Sequence, residues 1–101
     1  MSKYYRLEGH KGVPCDLMTW ARAFEFSNPS HIVAKTDVGD SRVSTVFLGL
    51  NHNYFDDGPP LIFETMIFGS SLDQYLERCS TWEEAEAQHA VAVQKAKEAL
   101  P

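Results

Sequence analysis

An α+β fold, with a four- to five-stranded antiparallel sheet and two helices packed on one face, follows from three features of the sequence. Two apolar runs, residues 43–50 and 61–68, are rich in β-branched and aromatic side chains. Each is too short for a free-standing helix and too apolar on both sides for a half-exposed strand, so both read as central strands. Leu17, Trp20, Ala21 and Phe24 fall at helical spacing and mark a first helix. The run Ser80-Thr81-Trp82-Glu83-Glu84 opens a second with a capping-box signature.

At 101 residues the chain is one domain with room for a single two-layer core. Apolar residues make up 44% and charged residues 23%, which is globular rather than disordered composition. A net charge of −5, with Lys and Arg scattered, disfavours direct contact with nucleic acid or an anionic membrane. The N-terminal residues lack the apolar core of a signal peptide, and no run approaches the ~18 apolar residues a membrane helix needs. A soluble, cytoplasmic chain is expected. Cys15 and Cys79 make no CxxC pair, and a reduced, buried pair is favoured over one bridge between them.

In chain order, KYYRLE alternates loosely enough for a short strand, and Gly9-His10-Lys11-Gly12 turns it back. Asp16 is a good N-cap for LMTWARAFEF, and Pro29 stops that helix. HIVAKTD reads as a strand nearer an edge, followed by a hairpin turn at Val38-Gly39-Asp40-Ser41. The strand over residues 42–50 has Val43, Thr45, Phe47 and Gly49 on one face and Ser44, Val46, Leu48 and Leu50 on the other. The strand over residues 61–68 has Leu61, Phe63, Thr65 and Ile67 on one side, and Ile62, Glu64, Met66 and Phe68 on the other. DQYLERC is a last, polar-edged strand. Trp82, Ala85, His89, Ala92 or Val93, and Ala96 trace a small-residue face along the C-terminal helix. Because the middle strands are apolar on both sides, the second sheet face also needs cover. The N-terminal segment can supply it, but a homodimer is favoured, since such a face exceeds the apolar patch monomers commonly tolerate.

The ten residues 51–60, NHNYFDDGPP, exceed the usual hairpin connection and form the best candidate site. Asn51, His52, Tyr54, Phe55 and Asp56 are its candidate binding residues, with Arg42 and Glu64 of the flanking strands completing the set; the competing view is that Asn, Asp and Gly only form turns while the aromatics plug the core. Glu64 is a carboxylate in an apolar strand. It is either a general acid or base tuned by burial, or, as favoured, half of a salt bridge to Arg42 or Arg78. His10, His31, His52 and His89 are too far apart for a metal-ligand motif, and no GxSxG elbow or glycine-rich phosphate loop occurs. No catalytic residue, metal or cofactor is assigned. Trp20 and Trp82 read as core anchors.

The stretch RVSTVFLGLNHNYFDDGPPLIFETMIFG, continued by STWEEAEAQHA, resembles a set of small proteins encoded by bacteriophages, prophages and their bacterial hosts. The similarity spans about the C-terminal two-thirds of the chain. It implies a genomic setting and carries no catalytic residues; an aspartate is expected at position 51 in many relatives, where this chain has Asn51. Together these features lead to the expectation of a small phage-type, non-enzymatic protein that engages a host protein as a counter-defence or regulatory inhibitor. The alternative is a nucleotide-like small-ligand pocket near the 51–60 loop. A hydrolase using His52 and Glu64 is third.

Overall fold

The computed structural model describes residues 2–24, 28–54, 58–69 and 71–100. The expected α+β fold is borne out: these residues form two helices and two antiparallel sheets, one of two strands and one of four. In chain order the elements are β1 (Tyr4–Glu8), β2 (Lys11–Cys15), α1 (Leu17–Phe24), a 3-10 turn at Pro29–His31, β3 (Ile32–Val38), β4 (Ser41–Phe47), β5 (Phe63–Phe68), β6 (Tyr75–Cys79) and α2 (Trp82–Glu98).

The larger sheet is a meander in which each strand pairs with the next, and its inner face is the core. Val43, Thr45 and Phe47 of β4 and Phe63, Thr65 and Ile67 of β5 are buried, alternating with less buried neighbours. That period-2 pattern is what a strand with one covered face requires. The cover is α2, which turns Trp82, Ala85, His89, Ala92 and Ala96 inward. Alanine at three of those five positions lets the helix lie close on the sheet. Of the two overlapping capping registers in the sequence, the chain uses the second. Thr81 Oγ accepts from the Glu84 N–H at 3.1 Å, and the Glu84 carboxylate accepts from the Thr81 N–H at 3.1 Å. Trp82 is a core anchor, as expected.

The hairpin between β3 and β4 turns on Gly39-Asp40, with Val38 opposite Ser41. Gly39 has φ +58°, the left-handed geometry a two-residue hairpin turn takes at its first central position.

The N-terminal third is arranged differently from the expected single sheet. β1 and β2 pair only with each other, Tyr4 opposite Cys15 through Glu8 opposite Lys11. This ladder is tied to the larger sheet by a single bridge, Tyr4 to Leu50, and by Tyr5 N–H donating to Gly49 O at 2.7 Å. Tyr5 is buried against Phe47, Ile62, Phe63 and Trp82, so the hairpin extends the inner core past the end of β4. It therefore does not cover the outer face, which disposes of the intrachain cover considered above. Gly49 makes the junction possible: at φ +68°, an added Cβ would lie 2.7 Å from Tyr5 O and 2.9 Å from the Trp20 ring nitrogen.

Asp16 caps α1 through a 2.8 Å bond from Thr19 N–H. None of the residues of this helix is buried. Its contacts are with β1, and it reaches the inner face only at its end, where the Phe24 ring meets His31 at 4.4 Å and Phe47 at 6.4 Å. Trp20 adds a hydrogen bond from its indole N–H to Leu48 O at 3.2 Å.

Both cysteines are free, and they differ: Cys79 is buried, Cys15 only partly. Burial, with help from the Glu84 charge, pushes the Cys79 thiol up to about 11. No described helix is long and apolar enough to cross a membrane.

Candidate recognition site

The loop after β4 is held at its root by Asn51. This side chain is buried, and its Oδ1 accepts from two backbone N–H groups, Asn53 at 2.8 Å and Leu61 at 3.1 Å. Its Nδ2 donates to Ser2 O at 3.3 Å. One amide thus ties the two ends of the loop together and fastens the N-terminus to them. Asn51, expected to touch a ligand, is instead the clamp that fixes the loop's geometry. Asn53 reinforces it by donating to Pro59 O at 3.1 Å.

Beyond the clamp Tyr54 faces outward. Tyr54 is 75% exposed, and its hydroxyl lies 3.0 Å from His52 Nδ1. His52 is half-buried, which holds its pKa below the ordinary histidine value; the nearby Arg78 cation pushes the same way and Glu64 opposes it. His52 thus lies in the field of the Glu64–Arg78 pair. Phe55 and Asp56, the other candidates in this loop, lie outside the described residues.

Glu64 and Arg78 sit directly opposite each other on β5 and β6, with Arg78 Nε 3.1 Å from Glu64 Oε2. The salt-bridge reading of Glu64 holds, and Arg78 is the partner. Arg42 is engaged elsewhere, bonded through Nε to Asp37 at 2.9 Å, with both side chains largely exposed. The register shows why: Glu64 is opposite Val46, whereas Arg42 is opposite Phe68 at the far end of the same strands. Of the expected set, Glu64 pairs with Arg78, His52 lies within the field of that pair and touches Tyr54, and Arg42 does not join them.

Glu64, Arg78 and Arg42 belong to the outer face of the larger sheet. In register across β3 to β6 that face presents three rows: Ile32, Val46, Glu64 and Arg78; then Lys35, Ser44, Met66 and Leu76; then Asp37, Arg42 and Phe68. Ile32, Phe68 and Leu76 are exposed. A groove of about 750 Å³ runs over the third row, between Lys35, Asp37, Arg42, Ser44 and Phe68. A cleft of about 440 Å³ opens elsewhere, between the β1–β2 turn and the start of α2. Neither is lined by the 51–60 loop.

The four histidines occupy four separate places, and the described residues contain no group of three or more metal-ligating side chains. His10 stacks flat on Trp82, with ring centroids 3.7 Å apart and planes within 2°. His31 packs against Phe24 and Phe47, and burial lowers its pKa. His89 is buried with Nδ1 2.8 Å from Thr45 Oγ1 and Nε2 2.9 Å from Thr36 Oγ1; Thr45 in turn lies 2.7 Å from Thr65 Oγ1. Burial lowers the pKa of this imidazole. The sequence does carry a signal for that network, because Thr45, Thr65 and His89 are the polar residues on three faces otherwise read as apolar. The His10 stack has no such signal, since it depends on where the hairpin tip lands.

No family model, curated protein or solved structure matches this chain.

Proposed function

We propose that this chain acts by binding another protein, through the anchored loop that presents Tyr54 and His52. The observation that carries this reading is the contrast within the loop: a buried, fully engaged Asn51 at its root and, three residues on, the 75% exposed Tyr54. An aromatic ring held three residues from an anchored root binds at lower entropic cost than one on a free segment, and tyrosine is enriched among residues that dominate interface energies. The polar groups that catalysis would need are committed to structural pairs: Glu64 to Arg78, and His89 to Thr45 and Thr36. The phage-type setting implied by the resemblance makes a host protein the partner of choice, with inhibition as the consequence of binding. We place the loop on a homodimer whose contact surface is a different part of the molecule.

Affinity capture from host lysate, with wild type and Tyr54→Ala compared, tests this. One stoichiometric partner is expected with wild type, and its recovery is lost in the variant. Equal recovery by both would remove the loop from the contact. Thermal-shift screening with nucleotides addresses the small-ligand alternative, for which a rise of several degrees is required.

A further inference from the structure

We infer that the outer face of the β3–β6 sheet is the contact surface of a two-fold dimer, in which the two sheets pack face to face with their strands roughly orthogonal. The inference rests on a surface other than the recognition loop, and each can fail without the other.

Three observations carry it. The first is area. Four strands ~4.8 Å apart, each with three outward residues ~6.6 Å apart, give a face of roughly 15 by 15–20 Å before side-chain relief. Two such faces cover about 450–600 Å² in flat projection, and the relief of the Ile32, Arg42, Phe68, Leu76 and Arg78 side chains raises the accessible area they bury toward the ~1,000 Å² a specific interface needs. The second is charge. The whole chain carries −5, so a random pair of surfaces would repel. On this face, however, Asp37 is neutralised by Arg42 and Glu64 by Arg78, leaving only Lys35 unbalanced. The acidity of the chain lies elsewhere.

The third observation is the pattern. Ile32 and Val46 occupy one corner, and Met66, Phe68 and Leu76 the diagonally opposite side. The two ion pairs fill the remaining corners, Glu64–Arg78 at one and Asp37–Arg42 at the other. A two-fold axis along the apolar diagonal lays each apolar patch on its own copy. The same rotation brings the Glu64–Arg78 pair of one chain over the Asp37–Arg42 pair of the other. Turning one face about its diagonal crosses the strands at nearly a right angle, one of the two preferred sheet-on-sheet arrangements. An unrelated partner would have no need of a pattern symmetric about that line; a second copy does.

Light scattering coupled to size-exclusion chromatography at micromolar concentration is the test. Wild type is expected at twice the mass of one chain, and Phe68→Lys and Leu76→Lys each at the mass of one, with unchanged circular dichroism. Both side chains are exposed in the single chain, so loss of folding is not the expected route to loss of association. Arg42→Glu weakens the dimer by about tenfold through the facing ion pairs. Ile32→Cys, in a Cys15→Ser background, cross-links to its own copy on oxidation because it lies near the axis, whereas Arg78→Cys does not. A wild-type monomer overturns the proposal, as does a dimer that survives both lysine substitutions. Tyr54→Ala separates the two surfaces: it is expected to remain dimeric while losing the captured host partner. If Tyr54→Ala instead leaves capture intact while wild type is dimeric, the loop reading fails and the dimer stands.

Discussion

The two faces of the β3–β6 sheet are made by the same strands and differ in almost everything else. The inner face is dry. Phe47, Phe63, Ile67, Val43, Thr45 and Thr65 are essentially inaccessible there, and the hydroxyls pair with each other and with His89. The outer face mixes Ile32, Met66, Phe68 and Leu76 with two ion pairs and no described element lies over it. A polar group on the inner face must have a partner inside the protein, since no water can satisfy it. On the outer face charge tolerates exposure, and apolar side chains remain available for a partner. One surface stores stability, and the other stores contact area.

The largest effect that tests this contrast is Phe47→Ala against Phe68→Ala. Removing the Phe47 ring opens a cavity between Tyr5, Phe63 and α2 and should cost about 3–5 kcal/mol in denaturant unfolding. The same change at Phe68, measured in a monomeric background, should cost under about 1 kcal/mol. Similar losses at both positions would erase the distinction.

Next is Thr45→Val. It keeps the shape of the side chain but leaves His89 Nδ1 and Thr65 Oγ1 without their shared partner, for an expected loss of about 1–3 kcal/mol. On the outer face, Arg78→Ala strands the mostly buried Glu64 carboxylate and should cost about 1 kcal/mol, with the discount that partial exposure of the pair imposes. A smaller effect separates the faces by pH. His31, His52 and His89 all have folded-state values below 6.5, chiefly through burial. The unfolded chain therefore takes up protons first as acid is added. Stability is at its full value above about pH 6.5 and falls as pH drops through the lower folded values. His89→Gln should flatten that slope, and an unchanged slope would show that the buried ring is not its source.

Much of this was legible beforehand, for a physical reason. Alternation along residues 42–47 and 63–68 assigned both faces correctly, because a strand has only two sides and one of them must be dry; Ile62, read onto the outer face, is buried in the core because the strand begins only after it. The small-residue face of α2 was readable in the same way, since alanines at helical spacing report close approach. The cap of α1 was visible in Asp16, but the burial of that helix was not: Leu17 is half exposed because α1 packs on the hairpin instead of spreading over the sheet. The hairpin's own placement is set by Tyr5 against Gly49 and Phe47, a meeting of distant segments with no trace in local pattern. The same limit left Arg42 and Arg78 as equal partners for Glu64. Only the register of β5 on β6 decides between them.

Asn51 teaches a related lesson. Asn in a loop reads equally as ligand contact or turn former, and its burial between Ser2, Asn53 and Leu61 makes it the latter. That leaves Tyr54 and His52 as the loop's outward-facing pair among the described residues.

The most direct test of the outer face as a contact surface is the denaturant midpoint measured over a hundredfold range of protein concentration. Association that favours the folded state raises the midpoint with concentration. The account predicts that wild type shows this rise and that Phe68→Lys does not. A wild-type midpoint that stays constant across the range would contradict it.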